Sequence, residues 1–187
     1  MKAVTTLLAA GLTFAAVPAS ANDIDYAQSR IGFTFTQMNV PVEGGFKKFR
    51  AQMRFDDKRP EASRAEIEVD LTSIDTGAPD GDAEAQRKPW FDTATSPTAK
   101  FVSSSVKRVA PDRYEIAGKL TIKGRTRDLK VPVEVTRAGA NRNFAGSFVL
   151  KRLEYAIGEG PWADVETVAD EVQVRFRIVQ RVAGAKP

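Results

Sequence analysis

From Asn22 onward, apolar and polar residues alternate with a period of two, the signature of strands with one buried face. Ile31, Phe33 and Phe35 alternate with Gly32, Thr34 and Thr36, and Phe49, Ala51, Met53 and Phe55 with Arg50, Gln52 and Arg54. Ala65, Ile67, Val69 and Leu71 form a third apolar face. The rhythm resumes at Ala99, Phe101 and Ser103, then shifts phase to Val106. Such a shift predicts a β-bulge near Ser103–Ser105. Four more faces follow: Tyr114 to Ile122, Leu129 to Val135, Phe144 to Leu150, and Val172 to Ile178, giving about eight strands. Lys123-Gly124-Arg125 predicts a tight hairpin, with further turns at Pro111-Asp112 and Gly139-Ala140-Asn141. Gly44-Gly45 predicts a bend or bulge between strands.

One segment departs from this rhythm. Pro79 to Lys88 is rich in Asp, Ala, Glu and Gln and is stopped by Pro89. It predicts a short helix capped by Asp80. Consecutive antiparallel strands, each with one apolar face, must bury those faces together. Closing the sheet into a barrel does so and removes the exposed edges, which favours a barrel over a two-sheet sandwich with the same alternation. The predicted fold is therefore all-β, an antiparallel barrel of about eight strands with one helical excursion. At that size the interior either fills with side chains or holds one small ligand.

The chain has 187 residues, of which 42% are apolar and 28% charged, enough for one ordinary soluble domain. Met1–Ala21 stands apart. Lys2 precedes an apolar run from Val4 to Val17, and Ala19-Ser20-Ala21 has the small-x-small pattern of a cleavage site. The expectation is a cleavable signal peptide over 1–21, a single domain over 22–187, and a bacterial periplasmic location. The tail Ala183–Pro187 is expected to fray.

The chain contains no cysteine and no histidine. That excludes disulfides, thiolate nucleophiles, imidazole bases, Cys- or His-ligated metals and haem. Removing the leader lowers the net formal charge from +4 to +3, because Lys2 is its one charge. The basic residues are scattered, and the densest spots, Lys47-Lys48-Phe49-Arg50 and Lys123-Gly124-Arg125-Thr126-Arg127, are short. Nucleic-acid binding would require a stronger stripe. Solvated strand faces, or transient contact with anionic head groups at a membrane surface, account for such spots. The carboxylates Asp56-Asp57, Asp80/Asp82/Glu84 and Asp164/Glu166/Asp170 lack the spacing of a calcium loop and fall outside the predicted interior. No catalytic residue and no metal site is expected.

All the phenylalanines but Phe14 lie beyond the leader, most at inward positions. Gly118, Gly146, Ala51, Ala65 and Ala99 place small residues among them. Large beside small either interlocks or leaves a tunnel. A tunnel so lined suits a long apolar chain. The candidate lining residues are Phe33, Phe35, Phe49, Phe55, Trp90, Phe91, Phe101, Leu120, Ile122, Phe144, Phe148 and Phe176. Trp90-Phe91-Asp92 would close one end as plug or lid. Gly158-Glu159-Gly160-Pro161-Trp162 reads as a flexible loop, either folded on the rim or touching ligand or membrane. Arg30, Lys47, Arg125 and Arg127 are the candidate donors to a polar head group such as a phosphate or quinone.

These landmarks, in order, resemble the YceI-like, polyisoprenoid-binding family of bacterial exported proteins. The resemblance is carried by Ser29-Arg30-Ile31-Gly32-Phe33-Thr34-Phe35, Gly45-Phe46-Lys47-Lys48-Phe49 and Ser73-Ile74-Asp75-Thr76-Gly77. It continues through Trp90-Phe91-Asp92 with Pro97 and Phe101, Gly118-Lys119-Leu120-Thr121-Ile122-Lys123-Gly124 and Tyr155-Ala156-Ile157-Gly158. It implies an extended, eight-stranded, lipocalin-like barrel whose pore takes an isoprenoid or other amphiphilic lipid, a quinone included, with no cofactor. Many members carry a His in the first strand, where this chain has Gln37-Met38. The implied role is a carrier or reservoir. The alternatives are a carboxylate-dependent lipid enzyme and a filled barrel that binds partners through its surface. A homodimer is left open.

Overall fold

The computed structural model describes residues 23–182, so the predicted leader Met1–Ala21 and the tail Ala183–Pro187 lie outside the described residues. Ten strands run in chain order: β1 (Arg30–Gln37), β2 (Val40–Phe46), β3 (Phe49–Arg54), β4 (Arg64–Asp70), β5 (Ile74–Asp75), β6 (Thr98–Ala110), β7 (Arg113–Ile122), β8 (Arg125–Ala138), β9 (Asn141–Lys151) and β10 (Glu171–Arg181). They form one antiparallel sheet in the order β3-β4-β6-β7-β8-β9-β10-β1-β2-β5.

The ladder ends at β3 and β5, yet the wall curls back on itself. Following the antiparallel pairings around the sheet, β2 and β3 run in the same direction, separated only by Lys47-Lys48. They are two halves of one bent strand. The first half pairs with β1 and the second with β4. Counted so, the wall is the expected eight-strand circuit, with β5 a two-residue addition beside Gly45 and Phe46. Side chains stitch the seam left by the bend: the Tyr26 hydroxyl accepts from Ala51 N at 3.3 Å, and Gln180 Nε2 donates to Met53 O at 3.1 Å.

Two sequence expectations need correction. Gly44-Gly45 lies inside β2 instead of between strands: Gly44 makes room for the Phe33 ring and Gly45 for the β1 backbone at Ile31. The helix, α1 (Pro79–Gln86), starts with Pro79 at its first turn and no side-chain cap on its N-cap residue, Ala78. Asp80 does not cap it. Asp82 anchors the helix start instead, accepting from Thr76 N at 2.6 Å and Thr76 Oγ1 at 2.8 Å.

Other features match the sequence. The β6–β7 register shifts between Ser103 and Ser105, the predicted bulge. Lys123 and Gly124 form a two-residue hairpin turn, both with positive φ (48° and 72°). Met38 and Asn39 make the same turn (49° and 62°) between β1 and β2, which no glycine announces. Inside the barrel the buried residues fall into two clusters. One centres on Tyr114, Ile116, Val133, Val135, Phe144 and Ile178, the other on Leu71, Leu120, Ile122, Leu150, Tyr155 and Ile157.

Candidate ligand chamber

Between and beside these clusters lies a hollow of about 470 Å³, within the range of small-molecule sites. Its wall is almost wholly apolar, drawn from every strand of the circuit, from α1 and from Trp90, Phe91, Ile157, Trp162 and Val168. Ten of the twelve predicted lining residues face it: Phe33, Phe35, Trp90, Phe91, Phe101, Leu120, Ile122, Phe144, Phe148 and Phe176. Phe49 and Phe55 do not. Phe49 packs edge-on against Tyr26 (centroids 5.4 Å apart), outside the hollow. Phe55 meets Tyr114 and Phe144 at 5.1 and 5.2 Å in T-shaped contacts and closes one end. Arg142 covers that end, its guanidinium 4.9 Å from the Phe55 ring, and bonds with Arg137 to Asp57.

The large-beside-small pattern does both things foreseen for it. Phenylalanine rings lie over glycines: a Cβ on Gly44 would come within 2.5 Å of Phe33, one on Gly118 within 2.6 Å of Phe101, and one on Gly146 within 2.7 Å of Phe176. The ring tips reach over the glycines on the neighbouring strands. The centre stays open as a result.

The opposite end is built from segments outside the named strands, joined to β1 by the single Gln37–Val168 bridge and held by two cations. Arg152 is 1% exposed. Its five N–H groups meet five backbone carbonyls: Nε donates to Ala169 at 3.1 Å, Nη1 to Ile157 at 2.9 Å and Gly158 at 3.1 Å, and Nη2 to Trp162 at 2.7 Å and Val168 at 2.6 Å. Trp90 lies over the guanidinium at 5.7 Å and packs on Trp162 at 5.3 Å. Desolvation lowers the Arg152 pKa from its ordinary value, with Asp170 acting in the opposite sense. Gly158 has φ +81°, and a side chain there would strike Arg152. The predicted flexible loop is therefore a pinned wall.

Lys123 is the second pin. Its ammonium donates to Lys88 O, Ala156 O and Glu159 Oε2, each at 2.8 Å, tying both loop segments to the β7–β8 turn. The hydrogen bond from Lys123 holds the Glu159 carboxyl below its usual range.

Polar groups are few on the wall. Gln37, Thr76, Glu84 and Arg152 supply them. Glu84 corrects the expectation that no acidic residue reaches the interior; it is paired with Arg87 at 2.8 Å. None of the four proposed head-group donors lines this hollow. Arg30 is exposed and stands opposite Arg177 in the sheet. Lys47 binds Asp75 at 2.9 Å, which raises the lysine pKa and lowers the aspartate's. Arg125 lies 3.9 Å from Glu159. Arg127 lines a separate side chamber of about 290 Å³ with Leu120, Leu129, Phe148 and Leu150, four residues it shares with the main hollow. Sequence reasoning missed Arg152 because it follows Leu150 on the inward parity of β9, where a charged residue reads as the end of the apolar face. A glycine six residues on was the one hint.

No group of three or more potential metal ligands gathers among the described residues. Among them, no helix is long and apolar enough to cross a membrane.

An up-and-down antiparallel barrel wrapped round an apolar hollow, with one end stoppered by aromatic rings, is a lipocalin-like architecture. The chain belongs to the YceI-like domain family, whose model matches residues 23–180. It is similar in structure to BcnA of Burkholderia cenocepacia, 41% identical, with a TM-score of 0.82 over 84% of this chain and 99% of that one. Protein YceI of Escherichia coli O157:H7 is 30% identical over 139 residues, covering 69% of this chain and 72% of that protein. A polyisoprenoid binding domain from Saccharophagus degradans shares the fold (TM-score 0.70, 16% identity, 87% and 98% coverage).

Proposed function

We propose that the protein is a periplasmic carrier or reservoir for an isoprenoid or other long apolar amphiphile, whose tail occupies the hollow. The observation that carries this reading is the hollow itself, large, walled by aromatic and aliphatic side chains and almost without polar groups. The polyisoprenoid binding domain of the same fold supports it. Binding alone is the role. Arg152 has no N–H to spare and Glu84 is held by Arg87, so the wall offers dryness in place of acid–base chemistry.

Each methylene removed from water contributes about 0.8 kcal/mol, so ten give roughly 8 kcal/mol before ordering costs of several kcal/mol. Micromolar to tens-of-nanomolar affinity corresponds to about 8–10 kcal/mol, which favours tails longer than ten carbons. Native mass spectrometry of protein purified from the bacterial periplasm tests the reading. A co-purifying lipid mass, or uptake of added polyprenol or quinone, is expected. Persistently empty protein after such additions would refute it.

A further inference from the structure

The barrel wall is not equally sealed all round. β7 pairs with β8 along its whole length, from Arg113–Glu134 to Ile122–Arg125. β9 pairs with β10 likewise, from Glu171–Lys151 to Arg181–Asn141. Between β8 and β9, however, pairing runs only from Ala138–Asn141 to Val133–Gly146. Beyond it, residues 125–132 of β8 and 147–151 of β9 face each other with no ladder pair.

Proline chemistry accounts for where the pairing stops. Pro132 has no N–H to donate. The β7–β8 ladder passes unbroken through the Glu115–Pro132 pair, so the proline nitrogen faces the other way, towards β9. The β8–β9 ladder ends one residue before it.

The side chamber of about 290 Å³ lies at this parting, between Arg127, Asp128 and Leu129 on one strand and Phe148, Val149, Leu150 and Lys151 on the other. Leu129 and Phe148, both half-buried, border it and the main hollow alike. Val149 is 50% exposed at its outer lip. Tyr155 also lines it; the residue is 4% exposed, and its hydroxyl makes no hydrogen bond to another described residue. Polar donors thus stand outside a slit whose inner lips are apolar.

We infer that this slit between the upper halves of β8 and β9 is a lateral portal, through which the tail of an amphiphile enters the hollow while its oxygen-bearing head stays in the side chamber beside Tyr155, Arg127 and Lys151. The inference rests on the lipid-cargo reading above and adds the route and the seat of the head. The Leu129 and Phe148 side chains part to admit a chain. The seams on either side of the slit, β7–β8 and β9–β10, are continuously paired and offer no such passage.

Because the chain has no cysteine, the slit can be stapled selectively. Continuing the Val133–Gly146 register sets Lys130 against Val149. The double variant Lys130→Cys/Val149→Cys, joined by a short bis-maleimide, is compared with Lys107→Cys/Glu115→Cys, joined across the paired β6–β7 ladder. The probe is farnesol carrying an NBD fluorophore, and the readout is its release into excess vesicles. Release is expected to slow by about tenfold in the slit-stapled protein and to stay unchanged in the control. Equal rates in both stapled proteins would overturn the portal and leave the cargo reading standing. Failure of the unmodified protein to take up the probe would overturn both.

Two further variants sharpen the outcome. Pro132→Thr restores a donor and should extend amide-exchange protection into residues 147–150 while slowing release. An unchanged exchange pattern with unchanged release contradicts the role given to the proline. Tyr155→Phe should weaken geranylgeraniol about fivefold and leave the matching hydrocarbon unaffected. Equal losses for both would move the head group elsewhere.

Discussion

The two ends of the barrel are both rich in aromatic rings, yet one is full and the other hollow. At the closed end, Phe55, Tyr114 and Phe144 meet edge to face within 5.2 Å, Tyr114 and Phe144 on paired stretches of β7 and β9 and Phe55 just past the end of β3. At the other end, Phe33, Phe46, Phe91 and Trp90 are spread over β1, β2 and a segment outside the sheet. Their rings lie against the wall, and the loops behind them are held by Arg152 and Lys123. Composition does not separate the two ends. Placement does: Phe55 lies edge-on across both Tyr114 and Phe144, whereas Phe33, Phe46, Phe91, Trp90 and Trp162 contact one another along the wall of the hollow.

The largest expected effect is at the pin. Arg152→Ala leaves five carbonyls without their donors and should cost about 3–5 kcal/mol, as for other broken buried charge arrangements. Urea unfolding should show it, together with loss of probe binding; a cost below about 1 kcal/mol would mean that the loop stands without the arginine.

The two ends should next diverge under truncation. Tyr114→Ala removes a ring from a filled region and should cost about 3–5 kcal/mol of stability with little change in tail affinity. Phe33→Ala, beside an existing hollow, should cost less stability and more affinity. Equal profiles for the two variants would erase the distinction between the ends.

A subtler break is Gly44→Val. The added side chain strikes both the Phe33 ring and the Asp75 carbonyl, pushing the ring towards the chamber, costing about 1–3 kcal/mol or more and shortening the longest tail bound. Calorimetry with isoprenyl alcohols of graded length reads both changes.

The smallest effect concerns pH. The Glu159 carboxyl is held below its usual range by Lys123, so its contribution is fully present above the ordinary value of about 4.3 and is lost as pH falls further. The pair is half exposed on the glutamate side, so the contribution is below about 1 kcal/mol. Between pH 6 and 3, wild type should lose slightly more stability than Glu159→Gln.

Much of this was legible in the alternation. Period-two patterning located eight strands, the bulge at Ser103–Ser105 and most of the chamber wall, because one-sided burial forces that rhythm on a strand. β2 escaped notice because Val40, Val42 and Gly44 carry little of it: Gly44 answers to the Phe33 ring and Gly45 to the Ile31 carbonyl, both on the neighbouring strand. Arg152 escaped for a related reason. Its partners are backbone carbonyls of a loop, and carbonyls leave no trace in the identity of the residues bearing them. The four head-group candidates stand off the main hollow because cations near strand ends take local partners, as Lys47 takes Asp75 and Arg125 Glu159, while Arg127 borders the side chamber.

Binding of isoprenyl alcohols of increasing length to the purified protein tests the central claim most directly. If the hollow houses an apolar tail, affinity should climb with each added isoprene unit until the chamber is full and then level off. Affinity that does not vary with tail length, or no binding at any length, would contradict it.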